Sequence, residues 1–544
     1  MGSAEPEIAE TGPGTETPNG TVFGLIDRAA RRTPDRLAVI DERGETTYRE
    51  LAEESCRLAG VFSARGVAAG TRVGLWLPNS SFWLAAHLGL ARVGAIAVGI
   101  NSRYPVAEVV RIVRAAGISA LVVDPASIGI ADSDSLDKVA AASDGTIGTV
   151  FTRGPSLELA GGLACVGTRV GADGAYGAAQ TPVDPAAGFA VFASSGSTGA
   201  PKLILHSQSG IAAQSEAIAS SFGYDRPGTV VLAQLPMCGV WGFNTVYAAL
   251  AAGATVASME RFDAKEAVEL IDRARVTTAN GPDLFVRRLF ASAQEAGSEL
   301  ASFRDLGFST FSNDSRELVD LGDARGIDLF QVYGSSEQQA LMLHQDANAD
   351  AATRADPGGL PSNPATRARV RDPETGAVVE VGVAGQLETT GPNVMLGYLA
   401  PDGIDRSAFT DDGWLRTGDI AQLTEAGGVR YLSREKDVLR LSGFLVDPQE
   451  IELQLETDPT VAEAKVVGVE TGRGPRCVAF VRPVDAGAFD PEALRCRCAT
   501  ELASYKVPAA IYAVEDYPRV DGANGPRIQR LALRELAITL GGQE

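Results

Sequence analysis

Residues 189–202 read FAVFASSGSTGAPK, an apolar run followed by a loop of glycines and hydroxyl side chains. The apolar part predicts a buried strand over 189–193. Glycines let the backbone curl so that several N–H groups point at one anion, and Lys202 adds a compact positive charge. This is not a Walker loop, because Gly199 is followed by Ala-Pro rather than Lys-Ser or Lys-Thr. A Ser/Gly-rich surface loop is the competing interpretation, but the strand before the loop and the Pro-Lys after it favour a phosphate site.

Helices and strands alternate on the N-terminal side of this loop. Periodic patterns predict a helix that opens at Thr47 and helices over 82–92 and 106–116, and apolar runs predict strands over 71–77 and 120–123. Such alternation is typical of α/β layers with parallel strands. Residues 144–188 are rich in Gly, Ala and Thr without a clear period, so we predict an irregular connection with short strands there.

The pattern changes after residue 437. Helical patterns at 448–456 and 491–503 alternate with apolar runs at 464–469, 476–481 and 510–514. These elements predict a small α+β unit of roughly a hundred residues, an ordinary domain size. A chain of 544 residues is long enough for at least two domains.

The composition is that of a globular protein and excludes some classes of function. Hydrophobic residues make up 45% and charged residues 22%, and the formal net charge is −21. A nucleic-acid binder needs a basic footprint, and so does docking on anionic lipid, so an acidic surface argues against both. The apolar stretches 82–100 and 238–259 contain charged or small polar residues, and we interpret them as buried core rather than membrane spans.

Cysteine and histidine usage is typical of a reduced, cytoplasmic protein without a zinc site. Six cysteines are scattered along the chain and only three histidines occur, so no pair has metal-site spacing with histidine nearby. Cys496 and Cys498 are too close together for a C-x-x-C redox pair. Residues 1–20 lack the basic start and apolar core of a secretory signal, and we predict that they form a disordered tail.

Two acidic motifs could take part in nucleotide binding. Residues 331–337 read QVYGSSE at the end of a predicted strand, where the Glu337 carboxylate can hold a hard cation and Tyr333 can stack on a base or a substrate. A strand-to-turn corner with a solvated glutamate is the alternative. Residues 413–419 read GWLRTGD, and an aspartate in such a turn can accept hydrogens from two vicinal hydroxyls, as on a ribose. An ordinary Asp turn explains the same pattern.

Two charged segments follow. Residues 433–437 read SREKD and are followed by LSGF at 441–444; a solvated hinge is the simplest interpretation. Residues 524–530 read NGPRIQR, which by themselves are compatible with a basic surface turn.

Taken together and in this order, the five segments resemble the adenylate-forming superfamily of acyl- and aryl-CoA synthetases, peptide-synthetase adenylation domains and luciferases. The resemblance extends from about residue 20 to the end of the chain. It implies an α/β fold with a large N-terminal domain of sheets flanked by helices and a small mobile α+β C-terminal domain. The corresponding bounds are 21–433 for the large nucleotide- and acid-binding domain, 434–437 for a hinge and 438–544 for the small domain.

This resemblance implies an ATP-dependent acid–thiol ligase. Such enzymes join a carboxylate to ATP, release pyrophosphate and form an acyl adenylate, from which a thiol displaces AMP. ATP and Mg²⁺ are the implied cofactors, and the acceptor is coenzyme A or the phosphopantetheine of an acyl carrier protein. A monomer and a homodimer are both compatible with the sequence.

The resemblance also implies a role for each matching residue. Thr198, Glu337 and Arg527 would be catalytic, with Glu337 and Thr198 on Mg²⁺. The residues on ATP or AMP would be Ser194, Ser195, Gly196, Ser197, Thr198, Gly199, Lys202, Asn313, Asp314, Tyr333, Gly334, Ser335, Ser336, Asp419 and Arg434. The substrate pocket would contain Cys238, Trp241, Phe243, Asn244 and Ser312, with Lys436 at the hinge and Gly443 on the approach of the thiol.

The chain departs from the family pattern at three places. Arg527 stands where the family usually has a lysine; arginine keeps the charge but is longer and planar. Residues 312–315 read SNDS in place of a Gly-Gly-Ala-Pro type of run, which makes that pocket wall more polar. Cys238 stands near the carboxylate tunnel, where relatives often carry histidine or another residue. These differences favour an unusual acid, small, aromatic or polar, with nitrite as a minor alternative.

Three hypotheses stay open at this point. The first is a ligase that transfers the acyl group to coenzyme A, and the second is a stand-alone adenylating enzyme that loads a carrier protein. The third, motivated by Arg527, is a nucleotide-binding regulator with degenerate catalysis. We expect retained activity, because the other nucleotide motifs are intact.

Overall fold

The computed structural model describes residues 20–124, 133–142, 145–154, 164–168, 182–194, 201–310, 315–400, 402–434, 439–441, 444–446, 448–471, 474–487, 489–502, 506–522 and 525–541. The helices within these ranges are α1 Val22–Arg32, α2 Tyr48–Ser63, α3 Ser81–Val93, α4 Val106–Ala116, α5 Ser133–Ala142, α6 Gln208–Ser221, α7 Val240–Ala251, α8 Ala264–Ala274, α9 Asp283–Ala296, α10 Ser315–Asp323, α11 Ala351–Ala355, α12 Pro448–Glu456, α13 Pro491–Glu501 and α14 Arg530–Gly541.

The strands of the first half are β1 Leu37–Asp41, β2 Gly44–Thr47, β3 Arg72–Trp76, β4 Ile96–Ile100, β5 Ala120–Val123, β6 Thr149–Thr152, β7 Ala164–Gly167, β8 Gly188–Ser194, β9 Lys202–Ser207, β10 Val230–Ala233, β11 Thr255–Ser258, β12 Thr278–Pro282, β13 Asp305–Ser309 and β14 Asp328–Tyr333. Those of the second half are β15 Leu343–His344, β16 Gly358–Pro361, β17 Arg367–Arg371, β18 Gly385–Thr390, β19 Gly397–Ala400, β20 Gly403–Asp405, β21 Leu415–Leu423, β22 Val429–Arg434, β23 Leu439–Leu441, β24 Phe444–Val446, β25 Val461–Thr471, β26 Gly474–Pro483, β27 Ala510–Ala513, β28 Arg519–Gly522 and β29 Gly525–Ile528.

Local signals in the sequence account for many of these boundaries. Helix α2 begins after Thr47, whose side chain accepts from the Glu50 N–H while the Glu50 carboxylate accepts from the Thr47 N–H, a reciprocal capping box. Helix α3 is capped by Ser80 and ends at Gly94, which adopts the left-handed conformation that glycine tolerates best. Each predicted helix and strand named above is confirmed, with shifts of a few residues at the ends.

Two large sheets form the first 434 residues. The described strands of one sheet follow the order β17-β18-β21-β22-β16-β15-β14-β13-β12-β10-β11-β1-β2, and those of the other follow β20-β19-β9-β8-β4-β3-β5-β6-β7. The first is parallel from β1 through β14, antiparallel from β14 to β17 and antiparallel again between β1 and β2. The second is parallel from β7 to β8 and antiparallel through β9 and β19. The first sheet therefore changes pairing direction at β14 and at β1, and the second at β8.

The main hydrophobic core joins the two sheets. It takes buried residues from α1, α2, α3, α6 and α7 and from strands of both sheets. Every residue of α7 from Val240 to Leu250 is buried, which is why this helix is apolar around its whole circumference. The stretch 238–259 is thus a buried helix followed by the buried strand β11, as expected. No helix in the described part of the chain is long and apolar enough to cross a membrane.

The C-terminal unit has a core of its own. Strands β25, β26 and β27 form a small sheet, on which α12, α13 and α14 pack, and the buried residues of its two clusters all come from position 439 onward. The predicted small α+β unit is confirmed. The domain bounds, including the hinge at 434–437, remain predictions, and residues 1–19 and 435–438 lie outside the described residues.

Candidate active site

The two sheets meet at a cation, a phenol and a carboxylate. Lys202 opens β9 and lies opposite Ser194, the last residue of β8. The Lys202 ammonium lies 5.1 Å from the centre of the Tyr398 ring, within cation–π range. The Tyr398 hydroxyl donates to Glu337 Oε1 at 3.0 Å. Lys202 and Tyr398 belong to one sheet, whereas Glu337 follows β14 of the other.

The Tyr398 phenol keeps its proton because of where it lies. Burial and the neighbouring Glu337 carboxylate both raise the pKa of Tyr398 above the ordinary value. The hydroxyl is therefore a donor at any physiological pH, and it orients one oxygen of the carboxylate. The other carboxylate oxygen can face a cation.

A second cluster lies beside the first. The Tyr333 hydroxyl donates to Asp419 Oδ2, and Arg434 Nε lies 3.0 Å from Asp419 Oδ1. Asp419 on β21 and Arg434 on β22 are partners in register, and the ring of Tyr431 lies 5.3 Å from that of Tyr333. Only 1% of the Asp419 side chain is exposed, against 50% for Arg434.

The charges of this cluster are mutually stabilised. Burial opposes the charge of the Arg434 guanidinium, but Asp419, the two tyrosines and Glu337 raise its pKa above the ordinary value. Burial and Asp419 raise the pKa of Tyr333, so its phenol also stays a donor. Arg434 thus links the Asp419 cluster electrostatically to Glu337.

The structure corrects the local setting of Asp419. The motif predicts an aspartate in a turn, but Asp419 lies within the nine-residue strand β21. Gly418 has φ of +73°, and the pairing of β21 with β18 shifts register between Glu388 and Gln386. A glycine in a left-handed conformation inside a strand is a common cause of such an irregularity. The bulge explains why a turn-like sequence belongs to a strand.

The turn that carries Glu337 contains the predicted Gly334, Ser335 and Ser336. A Cβ atom at Gly334 would lie 1.5 Å from the carbonyl oxygen of Ala340, so only glycine fits there. Ser335 Oγ donates to Gln338 Oε1 at 3.1 Å, which closes the turn on itself.

Three of the predicted pocket residues, Trp241, Phe243 and Asn244, lie on the buried helix α7. Phe243 stacks on Tyr247 at 4.4 Å and is 1% exposed, so it is part of the core. Trp241 is 7% exposed. Asn244 is fully buried and donates to the carbonyl oxygen of Gln339 at 2.8 Å.

Cys238 occupies a different position from its neighbours in the sequence. It precedes α7 and borders a cavity of about 10 Å³, enough for one water molecule, that Asn101, Arg103 and Gln234 also line. Burial raises the pKa of the Cys238 thiol to about 12, so it remains protonated. A protonated thiol is a poor nucleophile, which agrees with a mechanism that needs none from the protein.

Several predicted residues cannot be placed. Ser195, Gly196, Ser197, Thr198, Gly199, Ser312, Asn313, Asp314, Lys436 and Gly443 lie outside the described residues. The backbones of Ser194 and Arg527 belong to β8 and to the β28–β29 hairpin, where Arg527 pairs with Val520. Roles for these residues remain predictions.

No sequence motif identified Tyr398, Tyr431 or His206 as residues of the site. Strand pairing brings Tyr398 and Tyr431 close to predicted residues, β19 with β9 and β22 with β21, and His206 on β9 bonds Ser336 in the turn after β14. A list of motifs contains no signal for such contacts, because they depend on the order of the strands. The order follows from the fold and not from local patterns.

The donor set fits Mg²⁺ better than a transition metal. The described residues contain no group of three or more His, Cys, Asp and Glu side chains that could hold a metal alone. Mg²⁺ is usually bound through one or two carboxylates together with substrate phosphates and water. Glu337, half-buried and hydrogen-bonded to Tyr398, is a carboxylate of this kind.

Comparisons with known proteins show the family to which the chain belongs. A family model for AMP-binding enzymes matches residues 26–399, and one for the AMP-binding enzyme C-terminal domain matches residues 450–522. A propanoyl:CoA ligase of Mycobacterium tuberculosis, whose acyl group carries a methyl-dioxo-octahydroindenyl ring system, is 30% identical over 95% of this chain and 99% of its own.

One further relative and one solved structure complete the comparison. A probable non-canonical nonribosomal peptide synthetase of Salinispora arenicola, CymA, is 30% identical over 97% of this chain and 6% of its own length. The ATP-bound crystal structure of MatB from Rhodopseudomonas palustris superposes with a TM-score of 0.80 and 27% identity, covering 95% of this chain and 99% of that one.

Proposed function

The chain belongs to the family of AMP-binding enzymes, and from that premise we propose an ATP-dependent, AMP-forming acid–thiol ligase. In the first step a carboxylate oxygen of the acid attacks the α-phosphorus of ATP and pyrophosphate leaves, which gives an acyl adenylate. In the second step a thiol sulfur attacks the acyl carbon, AMP leaves, and the thiol proton goes to solvent. Coenzyme A is the acceptor that we favour.

The observation that supports this proposal most directly is the convergence of Lys202, Glu337 and Asp419. Lys202 and Glu337 both contact Tyr398. Asp419 pairs with Arg434, and the Arg434 guanidinium also interacts electrostatically with Glu337. In our proposal Lys202 contacts the phosphates, Asp419 accepts hydrogen bonds from the ribose hydroxyls, and Arg434 donates to the ribose oxygens. Tyr333 fixes the Asp419 carboxylate from the opposite side.

Glu337 would hold Mg²⁺, which when bound neutralises charge on the phosphates of ATP. Tyr398 fixes one oxygen of the carboxylate and so leaves a defined direction for the metal. Preorganised charges of this kind lower the barrier of phosphoryl transfer without any nucleophilic side chain. The glycine loop 194–199, Arg527, the hinge Lys436 and Gly443 keep the roles that the family resemblance implies.

The test of the reaction is direct. The purified chain is incubated with ATP, Mg²⁺ and a panel of acids, and release of pyrophosphate and AMP is measured with and without coenzyme A. We expect pyrophosphate with at least one acid, and AMP together with a thioester when coenzyme A is present. ATP binding without pyrophosphate from any acid would argue for the nucleotide-binding regulator instead.

A carrier-protein pantetheine is the second candidate acceptor. The specific reason is the similarity of the whole chain to a 6% portion of a nonribosomal peptide synthetase. Competition between coenzyme A and a pantetheinylated carrier protein for the same adenylate separates the two. A thioester only on the carrier would favour the second candidate.

A further inference from the structure

We call residues 336–339 the carbonyl turn. Each of their four backbone oxygens accepts a hydrogen bond from another part of the chain. The donors are His206 Nε2 to Ser336 O at 2.8 Å, Met395 N to Glu337 O at 2.9 Å, Asn393 Nδ2 to Gln338 O at 3.2 Å and Asn244 Nδ2 to Gln339 O at 2.8 Å. Glu337 lies second in this turn. Its backbone is therefore fixed independently of its side chain.

The three side-chain donors come from three separate parts of the fold. His206 belongs to β9, Asn244 to α7, and Asn393 to the connection between β18 and β19, and all three are fully buried. Burying polar side chains is costly unless they are hydrogen-bonded. They bond three of the four consecutive carbonyls, and the backbone N–H of Met395 bonds the fourth, so they define the position of one short segment rather than of a large surface.

The backbone of this segment is one that needs external support. Gln339 and Ala340 have φ of +58° and +53°, a left-handed conformation that is uncommon for residues other than glycine, and they follow each other directly. Such conformations persist where the surrounding structure imposes them. Asn244 bonds the carbonyl of the first strained residue.

His206 can act as a donor over the whole working range of pH. A backbone carbonyl only accepts, so Nε2 carries the hydrogen. Nδ1 is buried and has no hydrogen-bond partner among the described residues, which suits the neutral ring. Burial lowers the pKa of His206 to about 4. His206 therefore does not change its protonation state near neutral pH, and its bond to Ser336 is kept there.

We propose that His206, Asn244 and Asn393 are positioning residues for the cation site at Glu337. By holding the carbonyl turn they fix the backbone from which the Glu337 carboxylate would hold Mg²⁺. The inference rests on the proposed function, in which Glu337 holds Mg²⁺. It also gives Asn244 a role different from the one expected, as a support of the turn and not as a wall of the acid pocket.

The test measures ATP binding by calorimetry on the full-length chain, with Mg²⁺ and with EDTA in its place. The ratio of the two affinities is the gain that the metal provides. We expect Asn244→Leu and His206→Leu to lower this gain about tenfold or more, the usual effect of removing a group that orients a metal ligand. ATP affinity in EDTA should stay within a factor of two, because the other nucleotide contacts are intact.

A matched control separates positioning from general loss of packing. Gln208 is a buried amide that donates to Ala91 O at 2.9 Å, away from the carbonyl turn. Gln208→Leu should leave the metal gain unchanged, even where it lowers the melting temperature as much as Asn244→Leu does. His206→Gln, which can still present an amide N–H, should recover part of the gain. An equal effect of Asn244→Leu and Gln208→Leu on the gain would overturn the proposal.

Glu337→Gln distinguishes failure of this inference from failure of the assigned metal ligand. Loss of the gain in Glu337→Gln, with a normal gain in Asn244→Leu and His206→Leu, would reject only the positioning role. A normal gain in Glu337→Gln would reject Glu337 as the ligand. In the Glu337→Gln background, Asn244→Leu should cause no further loss, since residues that act through one another are not additive.

Discussion

Tyr398 donates its phenolic hydrogen to Glu337 at 3.0 Å, across the junction of two sheets. The contact connects β19, which pairs with β9, to the turn after β14. One hydroxyl therefore links the strand next to Lys202 with the turn that carries Glu337.

Tyr398→Phe removes this hydroxyl and keeps the ring beneath Lys202. We expect the Mg²⁺ concentration for half-maximal pyrophosphate release to rise about tenfold, because the carboxylate loses the group that orients it. Tyr512→Phe in the C-terminal unit serves as the control. Identical Mg²⁺ curves for Tyr398→Phe and the unmodified chain would mean that the hydroxyl has no part in the metal site.

Asp419→Ala should weaken the use of ATP. Hydrogen bonds to charged groups contribute about 1.5–3 kcal/mol, which corresponds to roughly a 10- to 150-fold higher KM for ATP. Asp412→Ala is the control, since Asp412 is exposed and paired with Arg369 at 2.6 Å. Steady-state kinetics with varied ATP measures the effect, and an unchanged KM would remove Asp419 from the ribose site.

Arg527→Ala should lower pyrophosphate release about 100-fold or more, the size expected when one charge-stabilising donor is lost. Arg527→Lys should stay within about tenfold of the unmodified chain, because the positive charge is kept while the fork geometry is lost. Arg519→Lys, on the other strand of the same hairpin, controls for the hairpin itself. A large gain of activity in Arg527→Lys would instead mean that the natural arginine impairs adenylation.

Lys436→Pro should spare pyrophosphate release and block thioester formation. Proline fixes φ near −65° and so restricts the change of backbone angle that a hinge requires. Lys436→Ala, which leaves the backbone free, should support both steps. Separate assays of pyrophosphate and thioester test this, and equal loss of both steps in the proline variant would contradict a hinge at this position.

Stability should fall as the pH is lowered from 6.5 toward 5. All three histidines of the chain are affected by burial, which lowers the pKa of His87 to about 3 and the pKa values of His206 and His344 to about 4. Unfolded histidine titrates near 6.5, so the unfolded chain takes up protons that the folded chain does not. The stabilisation is complete above pH 6.5 and is lost as the pH falls toward the folded values.

The expected slope is up to about 1.4 kcal/mol per pH unit for each histidine. Urea unfolding followed by tryptophan fluorescence measures it, since all four tryptophans lie before residue 434, in the same part of the chain as the histidines. His206→Leu should reduce the slope by one histidine's share. A free energy of unfolding that is constant from pH 7.5 to 5 would contradict this burial.

Much of the fold could be predicted from local patterns. Strands β3, β5 and β8 are short apolar runs, and α3 and α4 have clear periodicity, so their sequences alone identify them. Only the resemblance to a family predicted that one site contains Lys202, Glu337 and Arg434. Residues by themselves give no distance between segments that are more than a hundred positions apart.

What could not be predicted depends on strand order and irregular backbone. Tyr398 reaches Glu337 because β19 pairs with β9, and His206 reaches Ser336 from the same strand. The sequence predicts a turn at Asp419 because Gly418 precedes it. In the structure Gly418 adopts a left-handed conformation within strand β21, at a bulge in its pairing with β18. Nor does any local signal indicate that Asn244, inside an apolar helix, bonds a carbonyl of another segment.

The crowding at Gly334 has a consequence for anyone who redesigns this protein. Since no side chain fits between Gly334 and the Ala340 carbonyl, Gly334 itself cannot be replaced. A change of metal preference that keeps Glu337 would therefore be sought through distant partners such as Asn393 on the connection before β19. Libraries that vary Gly334 should yield mostly misfolded variants, whereas libraries at the supports of the turn should yield folded proteins with altered cation use.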